Sequence, residues 1–191
     1  MPAKKDERRR YSGQTFADRQ TERRGKLVRA ALAVAGRAGV EGTTVAAICA
    51  EAGLTARYFY ESFPTREAIF VEAYRLAQDE LLAEIAPQIL AKDPVRSALT
   101  AFYKSLAAHP GAARVFLVEI DDREAAMKAA SRDGAARLAT LFAPNAKNPL
   151  EIAGILGAII QIAKRWIDSG FVEPVQQVAN TAFAFTRVPT A

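Results

Sequence analysis

Hydrophobic residues recur at helical spacing along most of the chain, and this pattern predicts its elements. The first apolar stripe advances by four, three and four positions and consists of Leu27, Ala31, Val34 and Ala38. Such spacing places the four side chains on one face of a helix. The pattern therefore predicts a helix that begins near Thr21 and stops at Gly39.

Two short helices are predicted next, separated by a glycine. Thr44 is a suitable N-cap for a helix over Val45–Ala52, which Gly53 then ends. Thr55 is a suitable N-cap for a further short helix over Ala56–Ser62, after which a proline interrupts the chain. Three helices therefore fit within the first sixty or so residues.

The rest of the chain also has helical spacing, with breaks at Pro and Gly. A long helix is predicted to start at Arg66, and its apolar stripe runs from Ile69 to Ile85, shortly before Pro87. Further helices are predicted over residues 95–108, 112–120, 123–142, 150–169 and 175–186. No alternating apolar and polar segment predicts a strand. The expected fold is all-α, with about nine helices arranged as a three-helix N-terminal head and a larger helical body.

Composition restricts the chemistry that this helical protein can perform. Half of the residues are hydrophobic, which supports a real core, and the chain has one cysteine and one histidine. A single cysteine forms no intramolecular disulfide, and the two residues together make no zinc-binding set. There is also no glycine-rich phosphate loop and no HExxH motif. We therefore expect no metal and no cofactor, and a helical enzyme is the least favoured interpretation.

The charge of the chain is unevenly distributed. The net charge is +5, but residues 1–66 contain 13 Lys and Arg against 7 Asp and Glu, whereas residues 67–191 contain 13 against 14. Residues 1–19 are polar and basic, and we interpret them as a flexible arm. A basic end favours a polyanionic partner, with nucleic acid preferred. The alternative is a helical interaction module or a membrane-surface protein that uses the basic arm.

Hydropathy predicts a protein that stays in the cytoplasm. The most apolar segment, residues 152–160, is about nine residues long, whereas a helix that spans a membrane needs roughly twenty. The N-terminus also lacks the apolar region and cleavage site of a secretory signal.

The two short helices around Gly53 have the arrangement of a helix-turn-helix unit. Their surroundings resemble the tetracycline-repressor (TetR) family of bacterial regulators over residues 25–32, 39–55 and 58–68. One signature is the Thr-Thr-Val start of the second helix with the following Ala-Gly-Leu-Thr. The other is aromatic-Tyr-x-x-Phe-Pro-Thr-Arg-Glu, which ends at Glu67.

The resemblance implies how the head contacts double-stranded DNA. Thr44 would contact a phosphate at the N-terminus of the second helix, and Tyr60 and Arg66 would hold the DNA backbone. The third helix would lie in the major groove and present Thr55, Arg57 and Tyr58. An arginine at position 57 can donate two hydrogen bonds to guanine. Ala56 and Arg57 depart from the Lys and Gly that the family often has there.

Three other residues of the head are expected in its core. Phe59 and Phe63 lie where apolar side chains would hold the three helices together. Cys49 falls on the apolar stripe of the second helix, so we interpret it as a core residue, the alternative being a redox sensor with an exposed thiolate.

The resemblance divides the chain into the arm, a DNA-binding domain over residues 20–66, and a ligand-binding and dimerisation domain over residues 67–191. Helices 150–169 and 175–186 are predicted to form a homodimer, because paired heads on a palindromic operator require a two-fold axis. A small apolar or aromatic effector is expected, with transcriptional repression as the function. The candidate ligand contacts are the large apolar residues of the body: Phe102, Tyr103, Phe116, Phe142 and Trp166.

Overall fold

A computed structural model describes residues 16–119 and 125–187. These parts of the chain form nine α-helices and no strand, in agreement with the predicted all-α fold. The helices are α1 (Phe16–Gly42), α2 (Val45–Ala52), α3 (Ala56–Ser62), α4 (Arg66–Ile85), α5 (Pro94–Ala108), α6 (Pro110–Arg114), α7 (Ala125–Phe142), α8 (Pro149–Asp168) and α9 (Val175–Phe185). A 3₁₀ turn, Ala86–Leu90, follows α4, and a π-helical turn, Val115–Glu119, follows α6.

The ends of α1, α2 and α4 show why these residues form separate helices. Gly39 has φ 71° and ψ 177°, so it interrupts α1 before the helix ends. Gly53 ends α2 in the left-handed region with φ 64°, where a side chain would be strained. Thr44 and Thr65 cap α2 and α4, each accepting a hydrogen bond from the backbone N–H three residues later at 3.1 Å.

The head consists of the main part of α1 together with α2, α3 and the start of α4. Its buried side chains form one apolar cluster, which consists of Leu27, Val28, Ala30, Ala31, Ile48, Cys49, Phe59, Phe63, Ile69 and Ala73. Leu54, in the turn between α2 and α3, packs against this cluster. The predicted core positions of Phe59, Phe63 and Cys49 are confirmed, and burial raises the pKa of the Cys49 thiol. The redox alternative lacks the exposed thiolate that it requires.

The body has its own core between α5, α8 and α9. Phe102 and Tyr103 of α5 are fully buried, and the Tyr103 hydroxyl donates a hydrogen bond of 2.9 Å to the Ile159 carbonyl of α8. Trp166 of α8 packs edge-on against Tyr103 with ring centres 5.8 Å apart. Burial raises the pKa of Tyr103, so its hydroxyl stays protonated as a hydrogen-bond donor.

The clearest differences from the sequence predictions lie at the start of α1 and after α6, and several other helix ends differ by a residue or more. Helix α1 begins at Phe16, so the last four residues of the predicted arm are helical, and the rest of the arm lies outside the described residues. Asp18 in the first turn of α1 is favourable there because a helix N-terminus carries partial positive charge. The segment predicted as one helix over 112–120 is instead α6 and a π-helical turn, with residue 120 outside the described part.

Candidate nucleic-acid interface and internal cavity

Helix α3 has one buried face and one exposed face. Phe59 is fully buried in the head, whereas the side chains of Arg57 and Tyr60 are 84% and 61% exposed. Tyr58 lies at the margin, with 36% exposure. The helix therefore presents polar and aromatic side chains to solvent from a fixed base, as a helix that enters a DNA groove must do.

Arg57 already has an intramolecular partner on the exposed face of α3. Its Nε donates a hydrogen bond of 2.9 Å to Oε1 of Glu61, one helical turn away. An ion pair this exposed to water contributes little to stability. The guanidinium therefore remains available for another acceptor, at the small cost of releasing Glu61.

Thr44 and Thr55 precede α2 and α3 and differ in what their side chains do. Thr44 is exposed, and its hydroxyl oxygen accepts from the Ala47 N–H, which fixes the first turn of α2. Thr55 has the extended backbone of an N-cap, but its side chain makes no capping hydrogen bond. Thr55 is thus the N-cap residue of α3, as predicted, but it lacks the side-chain hydrogen bond of a cap.

Arg66, at the start of α4, is held by contacts within the protein. Its guanidinium donates to the Val40 carbonyl at 3.4 Å and to the Glu67 carboxylate at 3.4 Å, and it lies over the Phe70 ring at 5.5 Å. These contacts join the start of α4 to the end of α1. The side chain is 31% exposed, so only part of it faces solvent.

Two arginines of α1 that the sequence reasoning missed hold α3 in place. The Arg23 guanidinium lies 4.7 Å from the centre of the Tyr58 ring. Arg24 donates to the Ser62 carbonyl at the end of α3 and to both carboxylate oxygens of Glu72 in α4, with 3.1 Å for the bond from its Nε. Both arginines precede Leu27 by one helical turn, so the period of the apolar stripe already placed them on the side of α3.

A large cavity opens between the helices of the body. Its volume is about 970 Å³, near the upper end of the roughly 300–1,000 Å³ that ligand pockets usually have. All helices except α2, α3 and α9 contribute to its wall, as does the π-helical turn. The wall includes Leu32 and Ala33 of α1 and a long stretch of α4, so it is shared with two helices of the head.

The five candidate ligand contacts fall into two groups. Phe102 and Phe116 line the cavity. Tyr103, Phe142 and Trp166 are instead 0%, 0% and 3% exposed, and they pack in the body core outside the cavity wall. Phe102 and Phe116 are therefore better placed to contact a ligand than the other three, which pack α5 against α7 and α8.

No group of His, Cys, Asp and Glu in residues 16–119 and 125–187 is arranged to hold a metal ion. Within those same residues, no helix is long and apolar enough to cross a membrane.

The geometry defines the class of protein. Two short helices meet at Gly53, the second has one exposed face, and Thr44, the N-cap residue of the first, is exposed as well. The protein is a helix-turn-helix DNA-binding protein.

Residues 27–73, about a quarter of the chain, match the family model described as bacterial regulatory proteins of the tetR family. Over these residues the chain is similar to the tetR-family regulators, and it is a DNA-binding transcriptional regulator.

Solved structures share the fold over nearly the whole chain. The multidrug binding protein EbrR, in complex with imidazole, has TM-score 0.72 and 17% identity, over 88% of this chain and 97% of that one. The transcriptional regulator FadR from Bacillus subtilis, in complex with stearoyl-CoA, has TM-score 0.70 and 15% identity, over 85% and 96%. A transcriptional regulator from Rhodococcus sp. Rha1 has TM-score 0.67 and 22% identity, over 85% and 93%. At such identities the likeness shows the fold alone. No curated protein matches the chain.

Proposed function

We propose that the chain is a homodimeric repressor that binds a palindromic operator and leaves it when a small apolar or aromatic molecule enters the cavity. The observation that carries this proposal is the shared wall. Helices α1 and α4 line the cavity and also form the head. A ligand that fits one arrangement of these helices better than another shifts the population of head positions.

The relatives support a ligand-binding body. EbrR is named as a multidrug binding protein, and the Bacillus subtilis FadR structure contains stearoyl-CoA. Stearoyl-CoA carries a long apolar chain, and the protein that holds it has this fold. A cavity with Phe102, Phe116 and Leu156 on its wall suits such molecules.

The dimer is proposed from uncovered faces of α8 and α9. Gly154 and Gly157 of α8 are exposed, and a Cβ atom at either position would contact nothing within 4 Å. Leu150 on the same helix is 84% exposed, and Phe185 on α9 is 55% exposed. Small and apolar residues on the surface of a helix permit close packing against a second copy, and a two-fold pair of heads fits a palindrome.

We also propose roles for the exposed residues of the head. Thr44 and Tyr60 contact the DNA backbone, Arg57 reads a base, and Tyr58 and Thr55 lie beside it in the groove. Arg66 contributes one edge of its guanidinium to the backbone while its other contacts hold α4. The division at residue 66 into a DNA-binding and a ligand-binding domain belongs to the same proposal, with α1 spanning both.

The proposal assigns no catalysis to the chain and places its work in the cytoplasm, where operator DNA and metabolites are both present. No catalytic step is assigned because the proposed function consists of two binding events, one with the operator and one with the effector.

The experiment that tests the proposal is selection of bound sequences from a random pool of duplexes, followed by binding measurements at fixed salt. We expect a short palindrome whose half-sites lie about one helical turn apart, bound at least about a thousandfold more tightly than random duplex. Equal affinity for selected and random duplexes, at matched ionic strength, would overturn the proposal. A chain that binds liposomes as tightly as duplex would favour the membrane-surface alternative.

A further inference from the structure

The charged groups on the cavity wall differ in how deeply they lie. Most are exposed residues at the rim, and these are Arg29, Glu80, Glu84 and His109. The rim carries both signs of charge, and two of its members already face each other, with His109 Nε2 and Glu84 Oε1 3.9 Å apart. Lys164 of α8 is the charged lining residue that is half-buried. The most buried of the charged lining residues is therefore a lysine.

Lys164 has no carboxylate partner among the described residues. It follows Leu156 and Ile160 at intervals of four on the cavity side of α8, so its stem continues an apolar stripe. An ammonium group on the wall of a mostly apolar cavity is more stable beside an anion than without one. An anion inside the cavity would offset that cost.

Ser105 of α5 supplies a second polar group on the same wall. The residue is 7% exposed, yet within the described part of the chain its hydroxyl makes no hydrogen bond. A buried hydroxyl normally has a partner, and no fully enclosed side-chain polar atom in the described residues lacks one, so this hydroxyl faces the open cavity. Helices α5 and α8 are held together by the hydrogen bond from Tyr103 to the Ile159 carbonyl, which fixes the two walls relative to each other.

The remaining wall around these two groups is mostly apolar. Phe102, Phe116, Leu156 and Ile160 line the cavity together with several alanines and leucines. A ligand for this wall therefore combines a hydrophobic body with one acceptor group of negative charge.

We propose that the effector is an apolar or aromatic monocarboxylic acid, whose carboxylate is bound by the Lys164 ammonium and the Ser105 hydroxyl. The inference rests on the proposed function and names the ligand class for its cavity. The acid can be aliphatic or aromatic, since both place a carboxylate on an apolar body.

Matched pairs of compounds test the carboxylate directly. Dodecanoate and dodecanol differ only at the head group, as do naphthoate and naphthol. We expect the full chain at neutral pH to bind the carboxylate of at least one pair about tenfold or more tightly than its alcohol, by calorimetry. The pair that shows the preference identifies an aliphatic or an aromatic acid. Equal affinities within both pairs, or no binding of either acid, would overturn the inference.

Variants at Lys164 assign the preference to this residue. Lys164→Met should bind acid and alcohol alike while keeping the affinity for the alcohol, and Lys164→Arg should retain the preference. Lys104→Met is the matched control, because Lys104 is exposed on α5 and does not line this cavity. A Lys164→Met variant that still prefers the acid would overturn the inference.

Operator release separates this inference from the function on which it rests. A chain that leaves its operator equally well with alcohol and acid keeps the proposed function and overturns the carboxylate site. A chain that prefers the acid but selects no operator overturns the proposed function and supports the site.

Discussion

Gly111 of α6 lies directly against Gly36 of α1. A Cβ atom on Gly111 would fall 2.0 Å from the Gly36 carbonyl oxygen and 2.6 Å from its carbonyl carbon. The backbones of the two helices therefore touch without side chains between them. Ala112 and Ala113, the next residues of α6, line the cavity, so the wall of the cavity rests on the long helix of the head.

Gly111→Ala should destabilise the protein, because the new methyl group meets backbone atoms that cannot rotate away. We expect the free energy of unfolding to fall by about 1–3 kcal/mol, the usual range for overpacking. Denaturation in urea at fixed protein concentration measures it. If α6 moves instead of unfolding, operator affinity should change with it.

Gly25→Ala is the control for Gly111→Ala. Its Cβ would have only the flexible end of Arg29 nearby, at 3.9 Å. Alanine is favoured over glycine within a helix, so this variant should be stabilised by about 0.5–1 kcal/mol. Equal effects of the two substitutions would contradict the close contact between α1 and α6.

Arg24 should position the recognition helix. Arg24→Met removes the hydrogen bonds to Ser62 and Glu72, so the end of α3 loses its attachment to α4. Both partners of the ion pair are partly exposed, and a double-mutant cycle with Glu72→Gln should give a coupling of roughly 0.2–1 kcal/mol. Operator affinity, measured by fluorescence anisotropy, should fall while the base preference stays the same.

The pair Arg37 and Glu51 provides the comparison for Arg24. It joins α1 to α2 at 2.6 Å and is more exposed on the arginine side. Arg37→Met should therefore leave operator affinity closer to that of the unchanged protein. A larger loss with Arg37→Met than with Arg24→Met would contradict the positioning role.

The sequence predicted the second and third helices to the residue, because glycine, threonine and proline mark their ends. Val45–Ala52 and Ala56–Ser62 were both predicted with their observed bounds, because Gly53 and the caps act locally. The π-helical turn over Val115–Glu119 has no such local signal. Its irregular backbone lies where the segment packs between α1, α4 and α8, and a single sequence does not show those neighbours.

The ligand cavity was less predictable than the DNA-binding surface. Large aromatics were the candidates, yet Tyr103 and Trp166 are core residues, and the informative groups are Ser105 and Lys164. Whether the Ser105 hydroxyl is buried without a hydrogen-bond partner depends on how α5 and α8 meet in three dimensions. Surface residues of a helix-turn-helix, in contrast, follow from the period of a short helix.

Arg57 should choose a base within each half-site. Arg57→Ala is expected to relax the preference at one position per half-site, and a lost contact to guanine costs about 1–3 kcal/mol. Glu61→Gln should strengthen operator binding slightly, because it replaces the ion pair that holds Arg57 with a weaker neutral contact and removes one negative charge near the DNA. Binding to a panel of single-base operator variants checks both. A uniform loss of affinity across the panel would contradict base reading by Arg57.

Gly157→Glu should dissociate the proposed dimer without harming the fold of one chain. In the isolated chain the position is open, and glutamate is a better helix former than glycine by roughly 0.5–1 kcal/mol. In a dimer packed through α8, the same substitution would place a carboxylate in a close helix contact and desolvate it. Light scattering after gel filtration should report a dimer for the unchanged chain and a monomer for the variant. Operator affinity should fall steeply as well, because a monomer reads one half-site.

Ala136→Glu, on an exposed turn of α7, adds the same charge elsewhere and should leave the dimer intact. A Gly157→Glu protein that remains dimeric would place the interface on another face.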